Sequence, residues 1–175
     1  MKGEIWIING IPGAGKSTLA RALAARLERA THIEGDCLQG FIISGSVPPG
    51  ALPQTEEHRQ IHLNVRNQCL LARSFAEEDF VAIIDYVLVN RARVEEYREH
   101  LSACDVRLVT LAPGVDTALQ RDRTRPEKHV GGIWLQLHET LTAELRGLGL
   151  WIDNSKLTVD QTADYVLANS NAARI

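Results

Sequence analysis

The sequence is poor in features that would assign it at once. Its three cysteines, Cys37, Cys69 and Cys104, are odd in number, widely spaced and contain no CxxC. That excludes a disulfide framework or a zinc ribbon and fits a reducing, cytoplasmic setting. All three are expected as small buried hydrophobes. No apolar run reaches membrane-spanning length, and no basic segment leads into an apolar one as in a secretory leader. A protein with no membrane partner is therefore expected. The 19 Lys and Arg are set against 22 Asp and Glu, a net charge of −3. With no broad positive field, long nucleic acid is not an expected partner. Repeats, low-complexity tracts and linkers are missing too. The 175 residues, 45% of them hydrophobic, suffice for one globular domain with a full core, and a single domain over 1–175 is expected.

Short β-rich runs alternate with longer helical patterns. Glu4 to Asn9 reads as a buried first strand, and Lys16 to Arg29 as a helix burying Leu19, Leu23 and Leu27 at a spacing of four. Thr31 to Glu34 is a short second strand ending at "GD". Pro48, Pro49 and Pro53 mark an irregular stretch, and a helix from near Thr55 places Ile61, Val65, Cys69, Ala72 and Ala76 on one face. "FVAIID" (80–85) is a third strand, Arg93 to Leu101 a helix and "VRLVTLA" (106–112) a fourth strand. Helical sequence resumes at Val115, is interrupted by Pro126 and Gly131-Gly132, and returns from Trp134 to Leu148. "LWID" (150–153) is a fifth strand, and Thr158-x-x-Gln161 is a capping box opening the last helix. This alternation predicts a three-layer α/β domain around a parallel sheet. Trp6, Trp134 and Trp151 fall within these patterns and are expected to pack the core.

Gly10 to Ser17, "GIPGAGKS", satisfies G-x-x-x-x-G-K-[ST] between a strand and a helix, the context this motif requires. Gly13 and Gly15 are expected to clear side chains from a backbone that wraps phosphate oxygens. Backbone N–H groups and the start of the helix supply donors and positive dipole. Gly10, Gly13, Ala14, Gly15, Lys16, Ser17 and Thr18 thus form an expected phosphate cradle. Lys16 is placed to reach the β- and γ-phosphates, and the Ser17 hydroxyl to join a magnesium shell. The dinucleotide fingerprint G-x-G-x-x-G is absent, so the ligand class is ATP or GTP.

A guanine-specific N-K-x-D motif is absent, and so are the further motifs of AAA-type and helicase motors. Small phosphoryl-transfer kinases remain. On "GIPGAGKST", "HIEGD", "FVAIIDYVL", "RLVTLAP" followed by "RDRTR", and "GLWIDNSKLTVDQTADYVL", the chain resembles the P-loop kinase superfamily over nearly its whole length. It is most similar to chloramphenicol phosphotransferase-like, zeta-toxin-like and gluconate/adenylylsulfate kinase-like proteins. The resemblance implies a three-layer α/β/α P-loop NTPase fold, a five-stranded sheet of order 2-3-1-4-5, and a lid after strand 4, here 121–132. It also implies ATP and Mg²⁺ as cofactors.

Asp36 stands just beyond the second strand, at the carboxyl edge where open α/β sheets bind ligands. The resemblance makes it the general base that takes the proton of the attacking hydroxyl. Asp85 ends the "FVAII" strand as a Walker B acid would, and is expected to hold magnesium directly or through water. Arg121 and Arg125 share a helical face at i, i+4, where two like charges repel unless an anion comes between them. The resemblance places them in the lid, against the triphosphate; Arg123 points elsewhere.

Leu38 to Arg66 is the expected acceptor-binding insert, with an apolar, turn-rich "FIISGSVPPGALP" suited to a partly hydrophobic acceptor. Arg59 and Arg66 lie on one helical face, as do His58 and His62; the histidines lack a third ligand for a metal. Arg91 and Arg93 are weaker site candidates. Asn154 to Leu157 matches, by analogy, the loop that flanks adenine in related kinases. The expected activity is transfer of the γ-phosphate of ATP to a hydroxyl of a small molecule (antibiotic, sugar or nucleoside-type), by a monomer or homodimer. Two alternatives stand beside it: a nucleotide-sugar kinase of zeta-toxin type, and a non-catalytic, nucleotide-dependent regulatory module.

Overall fold

The computed structural model describes residues 3–123 and 134–175. Five apolar runs form strands: β1 (Glu4–Asn9), β2 (Ala30–Glu34), β3 (Val81–Asp85), β4 (Asp105–Leu111) and β5 (Leu150–Ile152). All pair in parallel, in the order β2-β3-β1-β4-β5 that the resemblance implies. Ile5, Ile7, Ile8, Ile83, Ile84 and Leu108 are fully buried, because helices cover both faces of the central strands. Each such side chain stabilises the fold by about 1.5–3 kcal/mol.

The helices are α1 (Lys16–Ala24), α2 (Gly35–Gln39), α3 (Gln54–Glu77), α4 (Arg91–His100), α5 (Val115–Arg123), α6 (Trp134–Leu145) and α7 (Val159–Ala168). A 3₁₀ turn, Ser170–Ala173, follows. α1 packs with α7, and α3 with α4. Right-handed crossovers set these two pairs on opposite faces of the sheet. The capping box of α7 is formed as expected, with Gln161 N donating to Thr158 Oγ1 at 3.1 Å and Thr158 N donating back to Gln161 Oε1 at 2.9 Å.

Several expectations change. α1 ends at Ala24 rather than Arg29, since the next residues turn the chain into β2 while Arg26 bridges to Asp160 and Asp164 of α7. Leu27 is accordingly half-buried. Cys37 is exposed, because it lies on the outer side of α2, a helix too short to show periodicity; its thiol donates to Glu34 Oε2 at 3.0 Å. Cys69 is buried, which pushes its thiol up to about 12, and Cys104 is half-buried. Trp6 is in the core under the Arg107 guanidinium, 5.0 Å from its ring centroid. Trp151 is half-buried, and the Trp134 side chain lies outside the described residues.

Parallel strands all end at one edge, and that edge carries the loops of interest. Asn9, fully buried at the end of β1, donates to Thr110 Oγ1 of β4 at 3.3 Å and accepts from the Leu88 amide beyond β3 at 2.8 Å.

Candidate active site

Beyond Asn9 the chain turns through Gly10–Gly15 into α1. Gly13 and Gly15 are both left-handed, with φ of 80° and 98°, for different reasons. A Cβ on Gly13 would lie 2.2 Å from the Ala118 carbonyl oxygen, so glycine here lets the loop close against α5. Packing against α5 by itself requires glycine here, apart from the phosphate clearance expected from sequence. At Gly15 the nearest atom to a Cβ is Asn154 Nδ2 at 3.8 Å, and the space is open. Gly15 is also the N-cap of α1; no side chain caps this helix and no acid lies in its first turn. The opening amides of such a helix favour an anion. Within the loop the Ala14 amide donates to the Ile11 carbonyl at 3.1 Å, and Lys16 Nζ folds back to the same oxygen at 3.4 Å. Ala14 is fully buried, Ser17 half-buried and Thr18 exposed.

One strand further out, β2 runs directly into α2, whose first turn carries Asp36 on the surface. The preceding Gly35 is wedged: a Cβ there would lie 2.4 Å from Tyr86 Cδ2 and 2.6 Å from Gln68 Nε2. Its carbonyl accepts from Asn64 Nδ2 at 3.0 Å. Asp85 and Tyr86 leave the end of β3 on opposite faces, as strand alternation requires. Tyr86 lies against Gly35 on the α3 side; burial, followed by the nearby Asp36 charge, pushes its hydroxyl pKa up.

Asp85 is buried on the α1 side, with Oδ2 2.5 Å from His32 Nε2. It stands in register with Glu34, which pairs with Arg21 of α1. His32, Glu34 and Asp85 offer ligand atoms within 4.8 Å of one another.

Between α1 and the segment after β5, a cleft of about 250 Å³ is lined by Gly15, Leu19, Arg121, Asn154, Leu157 and Val159, among others. Asn154 is buried there and donates from Nδ2 to the Ala14 carbonyl at 3.0 Å. Its own carbonyl accepts from Arg121 Nη2 at 3.1 Å. Arg121 therefore ties α5 to the cleft wall next to the phosphate loop. Arg125 and most of 121–132 lie outside the described residues, as does the Arg123 side chain.

In the insert, Arg59 is exposed and paired with Glu56, whose carboxyl its guanidinium holds down to about 2. Arg66 is exposed as well, and His62 pairs with Glu96 rather than with His58. Arg93 also bonds Glu96, while Arg91 is exposed in the first turn of α4.

Residues 5–141 match the family described as "AAA domain". The chain belongs to that family. The AAA name covers the class set aside above for want of motor motifs, yet the architecture of this family member is that of small P-loop kinases. A sugar kinase from Janibacter sp. HTCC2649 is 18% identical, with a TM-score of 0.72 over 98% of this chain and 96% of that one. The tunicamycin resistance protein of Deinococcus radiodurans is 23% identical, with a TM-score of 0.67 over 99% and 98%. The Mycobacterium tuberculosis APS kinase CysC, solved with AMPPNP and APS, is 16% identical, with a TM-score of 0.71 over 97% and 98%. At such identities these structures share the fold with this chain. No curated protein matches the sequence.

Sequence reading passed over His32 and Glu34, and over a buried polar row on α3. The pattern H-x-E on a strand shows that the two side chains share a face. That Asp85 lies opposite follows only from the pairing of β2 with β3.

Proposed function

We propose that this protein transfers the γ-phosphate of ATP to a hydroxyl of a small molecule. One observation supports the reading: three adjacent strands bring Lys16 with Ser17, beyond the loop that follows β1, Asp36, just beyond β2, and Asp85, the last residue of β3, to one edge of the sheet. The open space at Gly15 and the uncapped start of α1 fit a polyphosphate. The cleft bounded by Leu19, Leu157 and Val159 fits an apolar base beside it. Ser17 and Asp85 offer hydroxyl and carboxylate oxygens, the donor set of a hard cation. Magnesium, when bound, would offset charge on the phosphates.

In the proposed reaction the acceptor oxygen forms a bond to the γ-phosphorus as the bond to the ADP oxygen breaks. Asp36 takes the acceptor's proton. Lys16 and the loop amides offset the charge on the departing and transferred groups, and Arg121 closes the cleft wall next to them. Arg125 belongs to the same proposal as a second phosphate-contacting cation.

The test is ATP consumption across a panel of hydroxylated antibiotics, sugars and nucleosides. Stimulation by one class is expected, with a product heavier by about 80 Da, the mass of an added HPO₃. Asp36→Asn should keep ATP affinity and slow transfer about a hundredfold, as loss of a base does. Transfer at the unsubstituted rate would remove Asp36 from the mechanism.

A further inference from the structure

The buried side of α3 is polar where a core helix is normally apolar. Glu57, Gln60, Asn64 and Gln68 follow one another at helical spacing, and each is 9% exposed or less. Buried polar groups cost free energy unless bonded, and here each has a specific partner. Glu57 Oε1 accepts from the Gly50 amide at 2.7 Å. Gln60 accepts from the Val47 amide at 2.8 Å and donates to the Gly45 carbonyl at 2.7 Å. Asn64 donates to the Gly35 carbonyl at 3.0 Å. Gln68 in turn donates to Asn64 Oδ1 at 3.1 Å, and the fully buried Tyr97 hydroxyl of α4 donates to Gln68 Oε1.

The last two bonds fix the first. With Oδ1 of Asn64 taken by Gln68, its amide hydrogens face Gly35. The backbone groups held by the row, from Gly35 to Gly50, all belong to the segment that begins at Gly35, carries Asp36 and continues into the insert. An apolar row would bury as much surface but would give these groups no fixed place, because hydrophobic contact is non-directional.

We propose that this row is a positioning device for the acceptor half of the site. Asn64, oriented by Gln68 and Tyr97, sets Asp36 through the Gly35 carbonyl, and Glu57 with Gln60 sets the 45–50 turn. The proposal rests on the reading of Asp36 as the base. Asn64 is a positioning residue and touches no reacting atom.

Asn64→Leu removes the donor at similar volume, and Gln68→Leu leaves the donor but releases its orientation. Both are read in the full chain by hydrogen exchange over residues 35–41. A second readout is single-turnover release of phosphate from radiolabelled MgATP, with water as the stand-in acceptor. Faster exchange over 35–41 is expected in both variants, with phosphate release slowed about ten- to a hundredfold at unchanged ATP affinity. In an Asp36→Asn background, Asn64→Leu should add no further slowing, since both act at one point. Unaltered exchange over 35–41 in a folded variant, or slowing that adds in full to that of Asp36→Asn, overturns the proposal. If Asn64→Leu fails to fold, Gln68→Leu carries the same test. Asp36→Asn at the unsubstituted rate overturns the base reading instead, and the exchange data then judge the clamp alone.

Discussion

Gly13 and Gly15 stand two residues apart in one loop, and alanine at each is expected to fail in opposite ways. Alanine at Gly13 must hold a φ of 80°, which costs about 1–2 kcal/mol. Its Cβ would also sit 2.2 Å from the Ala118 carbonyl oxygen, a backbone atom that no rotamer change can move. Shifting α5 to make room adds about 1–3 kcal/mol, the usual cost of overpacking. The sum is about 2–5 kcal/mol, and in a chain of this size each kcal/mol lowers the melting temperature by about 2–4 °C. Gly13→Ala should therefore melt roughly 5–20 °C lower. Gly15→Ala carries only the strain of its φ of 98°, about 1–2 kcal/mol, because the space beside it is open. The added methyl, however, stands where a phosphate is proposed to lie, and ATP affinity should fall about tenfold or more, equivalent to ~1.4 kcal/mol. Calorimetry with and without MgATP separates the two. Gly13→Ala should start low yet rise with nucleotide, as linkage demands of a chain that still binds it. Gly15→Ala should start about 2–8 °C below the unsubstituted chain and scarcely rise. A Gly13→Ala protein as stable as its parent, or a Gly15→Ala protein with the full nucleotide shift, would refute this assignment of roles.

Lys16→Ala should abolish ATP-dependent transfer while shifting the melting temperature by only a few degrees, since Lys16 is half-buried and its 3.4 Å bond to the Ile11 carbonyl is long; transfer that persists in this variant would sink the phosphate assignment. Cys37 is exposed, but its bond to Glu34 raises the thiol pKa, so at pH 8 less of it is thiolate than in a free cysteine. An aromatic disulfide reagent should modify Cys37 more slowly than free cysteine, and Glu34→Gln should speed that reaction. Cys69, buried and held up to about 12, should stay unmodified until the protein unfolds.

Much of the fold was legible because its strands are dense apolar runs. "EIWIIN", "VAIID" and "DVRLVTL" stood out by composition, and their spacing by helices specified a parallel sheet. The order of those strands came from resemblance, since periodicity carries no neighbour information. α2 leaves no mark in the sequence, because five residues cannot display a helical repeat. The polar row of α3 was missed for a different reason. Glu57, Gln60, Asn64 and Gln68 repeat as a helix face should, but polar residues at that spacing ordinarily mark the side facing water. Only the backbone groups of 35–50 packed against them explain their burial. Asn154 was placed by analogy with an adenine-flanking loop; the structure adds that it binds the Ala14 carbonyl and so braces the phosphate loop from 140 residues away in sequence.

Asn9 has a consequence for motion. One buried amide fastens the ends of β1 and β4 to the turn after β3, so the loop that begins at Gly10 and the strand that delivers Asp85 share a single anchored floor. Displacing either the loop or the strand end would strain these buried bonds. In the proposed reaction, setting the acceptor against that floor falls to the segment from Gly35 to Gly50, held on α3.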